Sequence, residues 1–155
     1  MILLSTYNGE QFIRKQLDSL INQIGVDFHI VIRDDGSSDQ TIPIIEDYII
    51  KYPSLFTLFK GHNIGVAKSF SWLMEYANNI PNYRYYAFCD QDDIWYTNKL
   101  RIACDTLSQS NNNRPALFFS YFQMIDANGN TLPTNHTQLK LTLGEPVGGI
   151  NLVHT

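Results

Sequence analysis

Phe28-His-Ile-Val-Ile-Arg33, followed at once by Asp34-Asp-Gly-Ser-Ser-Asp39, decides the fold. A β-branched run that ends abruptly in small polar and acidic residues reads as a buried strand delivering a turn and then a helix start. Ser38 or Asp39 begins that helix, Pro43 is tolerated in its first turn, and Tyr52-Pro53 ends it. The same unit recurs on both sides. Ile2-Leu-Leu-Ser5 is a strand, and Asn8 is positioned to cap a helix over roughly residues 9–23. Its apolar face is Phe12, Ile13, Leu17, Leu20 and Ile21. Leu55 to Phe59 is a third strand. Val66, Phe70, Leu73, Met74 and Ala77 then mark a helix. Tyr83 to Cys89 is a fourth strand, with a helix capped by Thr97 after it and Leu100, Ala103, Cys104 and Leu107 facing inward. Ala116 to Met124 reads as a fifth strand, and Asp126-Ala-Asn-Gly-Asn130 as a hairpin turn. Past residue 133 the pattern fades.

Strand–helix alternation implies an α/β fold: a mostly parallel sheet with right-handed crossovers and helices on both faces. In such sheets ligands bind beyond the carboxyl ends of the strands. Four polar clusters fall there: Ser5-Thr-Tyr-Asn8, Asp34-Asp-Gly-Ser37, His62-Asn-Ile-Gly65 and Asp90-Gln-Asp-Asp93.

Composition bounds the possibilities. The chain has 155 residues, 44% of them apolar and 17% charged, enough for one globular core. Eleven basic residues against fifteen acidic ones give a net charge of −4, which argues against a nucleic-acid binder. Apolar runs such as Met1-Ile-Leu-Leu4 are far short of the roughly 20 residues of a membrane span, and no signal peptide precedes Ser5. Cys89 and Cys104 are too few for a disulfide scaffold or a zinc site, and are expected to be buried free thiols in a reducing cytoplasm.

Asp34, Asp35, Asp90, Asp92 and Asp93 place five acids in two short loops. Crowded carboxylates repel and raise one another's pKa values unless a cation sits among them, and oxygen-only ligands suit Mg2+ or Mn2+. In the extended backbone at a strand end, Asp90 and Asp92 lie on one side, where they can hold a metal that also binds a diphosphate. Tyr7 is placed to stack on a nucleobase and Lys68 to reach a phosphate. Other features have plainer readings. His29 is expected to pack along its strand and His62 to be structural. Trp95 either walls a ligand pocket or covers the core. Asn135-His-Thr137 is a chance match to a glycosylation acceptor.

Leu4-Ser-Thr-Tyr-Asn-Gly9, Arg33-Asp-Asp-Gly-Ser-Ser-Asp-Gln-Thr41, Asn63-Ile-Gly65 and Asp90-Gln-Asp-Asp-Ile-Trp95, in this order and spacing, resemble family 2 glycosyltransferases, which have the GT-A fold. With Phe88-Cys-Asp-Gln-Asp-Asp-Ile-Trp95 and Asn98-Lys-Leu100, the chain looks most like bacterial rhamnosyltransferase-type members. The resemblance runs from residue 1 to about 132. It implies a nucleotide-sugar-binding region over 1–132 and the start of an acceptor-side region, incomplete, over 133–155. It also implies metal-dependent, inverting transfer of a sugar from a UDP- or dTDP-linked donor to an acceptor hydroxyl in surface polysaccharide synthesis.

By matching position, Ser5 and Tyr7 would line the nucleoside pocket. Asp35 would bond the base, with Asp34 supporting it. Asp92 would be the direct metal ligand, and Asp90 would contact ribose or a metal-bound water. Asp93 would face the sugar or brace its loop, and Lys68 would lie near the diphosphate. Acceptors would be saccharides or lipid-linked saccharides, which suggests a cytoplasmic protein at the inner face of the membrane. The general base of an inverting transfer is expected beyond Thr155, and Glu145 is not assigned to it. On this reading the chain is a donor-binding half. It is expected to expose apolar surface and to self-associate. The rival is a catalytically silent nucleotide-sugar-binding fragment. A phosphoaspartyl enzyme is disfavoured, because Ile94 stands where the Thr or Val of that motif would be.

Overall fold

The structure, a computed structural model, describes residues 1–110, 115–120, 122–126 and 131, and the backbone of 152–154. Its elements in chain order are β1 (Ile2–Thr6), α1 (Ile13–Ile21), β2 (Ile30–Asp34), α2 (Thr41–Lys51), β3 (Phe56–Lys60), α3 (Val66–Asn78), β4 (Tyr85–Cys89), α4 (Lys99–Ser108), β5 (Ala116–Phe118) and β6 (Leu152–His154). The sheet order is β3-β2-β1-β4-β6-β5. β3, β2, β1 and β4 are parallel, and β6 runs antiparallel between β4 and β5. The expected α/β architecture, mostly parallel with helices on both faces, is what forms. β6 carries no readable signal in the sequence; its three residues pair with β4 on one side and β5 on the other.

Alternation along the strands splits the apolar side chains into two layers rather than one core. Ile2, Leu4, Ile30, Ile32, Ala87 and Cys89 face α1, α2 and α4, whose Ile13, Leu17, Leu20, Ile45, Tyr48, Leu100, Ala103 and Leu107 cover them. Met1, Leu3 and Val31 face α3, which meets them with Leu73 and Ala77. One helix must cover this second face, and large aromatics extend its reach. Phe59 packs edge-on against Trp72 and Tyr76, and Phe70 against Phe88. Trp95 is 3% exposed and belongs to the first layer, so it covers the core.

Several local expectations are corrected. Asn8 does not cap α1. It sits at φ +46°, and its side-chain oxygen accepts from the Ser38 amide. The helix starts only at Ile13, after a turn in which Phe12 and Ile13 donate to the Gly9 carbonyl, and Phe12 is left exposed. Met74 and Val66 are exposed too, because the buried stripe of α3 runs through Ser69, Leu73 and Ala77. Thr97 makes no cap. Gln23, at the end of α1, accepts from the Leu100 amide instead, a tertiary cap that local pattern cannot show. His29 precedes β2, where its ring meets the Ser54 carbonyl and the Thr57 hydroxyl. Cys89 is buried but Cys104 only half so; both are free thiols. β5 stops at Phe118, and Ile125 bridges Thr131 across the expected hairpin, whose tip lies outside the described residues, as do Asn135 and Glu145.

Candidate active site

The loops after β1, β2, β3 and β4 meet at one edge of the sheet, as the strand-end rule requires. They enclose a cleft of about 440 Å³. Ser5, Thr6 and Tyr7 line it from β1, and Asp35 from β2. Asn63, Gly65 and Val66 line it from the β3–α3 loop, and Asp90, Gln91 and Asp92 from β4. A larger cavity, about 740 Å³, lies at the opposite edge between Met1, Phe28, Tyr83 and Leu100. It is mostly apolar, with Asp27 as the one carboxylate of its lining, so size alone does not mark the site.

Residue parity along β2 separates the Asp34–Asp35 pair. Asp34 points with Ile30 and Ile32 and is fully buried. Its oxygens accept from the Gly36 amide (3.1 Å), the Ser37 amide (2.8 Å) and the Ser37 hydroxyl. It shapes the turn and does not line the cleft. Asp35 points with Arg33, toward α3 and the cleft. Arg33, itself 4% exposed, donates to Asp35 Oδ1; the Ile64 amide reaches the same oxygen at 2.9 Å and the Gly65 amide reaches Oδ2 at 2.8 Å. Burial alone would raise the Asp35 pKa. The Arg33 hydrogen bond, the two amides and the Arg33 charge outweigh it and hold the carboxyl below the usual range. Arg33 also donates to Ser69 Oγ (3.1 Å) and the His62 carbonyl (3.2 Å), and Ser5 donates to Ser69 at 2.7 Å. Gly61 makes room for it, since a Cβ there would stand 2.5 Å from the guanidinium.

The loop after β4 is built the other way. Among the described residues no donor is hydrogen-bonded to the carboxylate of Asp90, Asp92 or Asp93. Burial, and then the neighbouring Asp92 charge, raises the Asp90 pKa. Burial, followed by Asp90, pushes Asp93 up to about 6, against the pull of Lys99, which lies over the Trp95 ring. Asp90 and Asp92 open onto the cleft without protein donors, which fits a hard cation. No group of three or more His, Cys, Asp or Glu among the described residues is arranged to hold a metal by itself. Two carboxylates plus phosphate oxygens and water make a usual Mg2+ set.

Tyr7 is 45% exposed at the cleft mouth. Lys68 is exposed one turn into α3 and does not line the cleft. The sequence shows Asn63 and Gln91 in the strand-end clusters and Arg33 beside one of them but gives none of the three a role, and it does not single out Ser69. Arg33 had a signal: a charge inside a buried run, two residues before Asp35, has to share its face.

A mostly parallel sheet with an acid-lined cleft at its carboxyl edge defines an α/β protein of the open-sheet class. The family model for glycosyl transferase family 2 matches residues 1–136. The chain belongs to that family. It is 42% identical over 112 residues to the dTDP-rhamnosyl transferase RfbG of Shigella flexneri, an alignment covering 71% of this chain and 38% of that protein. The fold superposes on the S. aureus TarS 1-349 structure in complex with UDP with a TM-score of 0.60 at 27% identity, over 70% of this chain and 31% of the other. It also matches the mannosyltransferase PcManGT of Pyrobaculum calidifontis, in complex with GDP-Man and Mn2+, with a TM-score of 0.61 at 21% identity, over 70% and 32% of the two chains. These are GT-A glycosyltransferases, and the fold is GT-A. The chain spans little more than a third of the length of RfbG. No helix among the described residues is long and apolar enough to cross a membrane.

Proposed function

We propose that the cleft is the donor site of an inverting, metal-dependent glycosyltransferase of surface polysaccharide synthesis. It takes a sugar from a dTDP- or UDP-linked donor, and the likeness to RfbG favours dTDP-rhamnose. The observation that carries this reading is the convergence of Tyr7, Asp35, Asp90 and Asp92 from three strand ends on one cleft.

Tyr7 offers a ring for the base, beside Ser5. Asp35, kept ionised, acts only as an acceptor, which suits the imide N–H of thymine or uracil and not the bare ring nitrogen of cytosine. Asp34 acts indirectly, by shaping the turn that carries Asp35. Asp92 would hold the cation, and Asp90 would meet a water on it or the ribose. The cation supplies charge neutralisation at the departing nucleoside diphosphate. Asp93 braces the loop or meets the sugar, and Lys68 draws the diphosphate in from outside the cleft. The acceptor hydroxyl of a saccharide or lipid-linked saccharide attacks from the face opposite the diphosphate. The base that takes its proton is not assigned to this chain.

Calorimetric titration with dTDP, UDP and CDP, with Mg2+ or Mn2+ and with EDTA, tests the reading. Cation-dependent binding of dTDP or UDP, with CDP much weaker, is expected. Equal binding of all three, or binding indifferent to EDTA, overturns it. Binding without sugar transfer or donor hydrolysis makes the chain a catalytically silent nucleotide-sugar module. The exposed run Leu117, Phe119, Phe122 and Met124 is expected to drive self-association. A clean monomer at high concentration in light scattering would rule that out. Action at the cytoplasmic face of a membrane follows from the proposed acceptor alone.

A further inference from the structure

Gln91 stands between the two carboxylates that open onto the cleft, yet its side chain turns away from them. Its Oε1 accepts from the Thr6 hydroxyl (2.8 Å) and the Tyr7 amide (2.9 Å), and its Nε2 donates to the Tyr7 carbonyl at 3.2 Å. The amide group therefore brackets Tyr7 on both sides of its backbone, as a neighbouring strand would. β1 ends at Thr6, and β1–β4 pairing ends at Leu4↔Cys89, so nothing else from β4 holds the backbone at residue 7. Gly9 closes the seat from beyond. A Cβ there would stand 2.3 Å from Gln91 Oε1.

We infer that Gln91 is the positioning residue for the nucleobase half of the cleft: the loop that presents Asp90 and Asp92 also sets Tyr7. The inference rests on the donor-site reading above and goes beyond it. Its consequence is that a change at Gln91, between the two carboxylates, reaches a ligand that never touches the cation.

Thymidine, which has no phosphate, is the probe, with dTDP plus Mg2+ beside it. Gln91→Met keeps the bulk and removes the three hydrogen bonds. Gly9→Ala is a second, independent route. Gly9 has no positive φ, and the three atoms nearest the added methyl all belong to the end of the flexible Gln91 side chain, so the backbone stands while Gln91 is pushed off its seat. Both variants are expected to bind thymidine about tenfold more weakly, the loss of roughly one well-made contact. Both are expected to exchange the Tyr7 amide proton faster, while thermal melts stay cooperative. Asp92→Asn is expected to weaken dTDP plus Mg2+ and leave thymidine unchanged. Unchanged thymidine affinity and Tyr7 exchange in both variants, with wild type binding dTDP, overturns the inference and spares the donor site. Wild type binding neither ligand overturns the donor site itself. If Gln91→Met does not fold, Gly9→Ala decides.

Discussion

The two acidic loops of the cleft are opposites. At the end of β2 every carboxylate is met by donors: Asp34 by the Ser37 hydroxyl and two amides, Asp35 by Arg33 and two amides. At the end of β4, Asp90, Asp92 and Asp93 meet none among the described residues. The first loop is a finished frame whose charge is compensated within the protein. The second keeps carboxylates without hydrogen-bond donors near the surface; burial, then the neighbouring carboxylate charges, raises the Asp90 and Asp93 pKa values, with Lys99 opposing the shift at Asp93. Similar residues are thus satisfied within the protein in one place and left open toward the cleft in the other, and what differs is the supply of donors.

The largest effect is expected from breaking the frame. Arg33→Met leaves Asp35 as a buried carboxylate without its counter-charge, held by the Ile64 and Gly65 amides alone, and should cost about 3–5 kcal/mol of stability in urea unfolding. A loss below ~1 kcal/mol would mean that the two amides suffice and the ion pair is incidental. Asp92→Asn probes the other loop. It should lower Mg2+-dependent dTDP affinity at least about tenfold, ~1.4 kcal/mol, while moving folding stability by only ~0.5 kcal/mol. A large drop in stability would erase the contrast between the loops.

The pH dependence should run in opposite directions. Asp35, depressed in the fold, contributes stability that is full above its unfolded value near 4 and fades as pH falls through the lower folded value. Asp93, raised to about 6, makes the folded state hold a proton that the unfolded chain has lost between about 4 and 6, so its contribution falls as pH rises through that window. Asp93→Asn should remove this slope, and urea melts at pH 4.5 and 6.5 on both proteins would show it. A wild-type-to-variant difference that does not change with pH would place the Asp93 carboxyl in ordinary solvent.

The smallest effect is expected at the exposed cation. Lys68→Ala should weaken dTDP binding by no more than about fivefold, and by less at high salt, as for other exposed charges. A salt-independent hundredfold loss would show that Lys68 enters the cleft when the donor binds.

How much was legible in the sequence follows from how local each signal is. The strand–helix order, the parallel sheet and the four strand-end clusters rest on runs of a few residues, and all can be read directly. Cap identities failed where the partner is distant: Asn8 serves Ser38, and Gln23 caps α4. The sequence shows Ser5, Tyr7, Asp35, Asp90 and Asp92 as strand-end residues of the right chemistry, and the fold lines one cleft with them. It also shows Asp34 and Lys68, which the fold leaves outside the lining.

By itself, then, the sequence determined which residues reach the carboxyl edge of the sheet, because alternation and strand ends are properties of neighbours in the chain. Only the tertiary structure decided their state. Whether a carboxylate is compensated depends on donors such as the Ile64 and Gly65 amides, which reach Asp35 from another strand end, and whether Tyr7 is held depends on Gln91, 84 residues away. Hydrogen bonds and charges act over a few ångströms of space, and only the packed sheet brings those partners within reach.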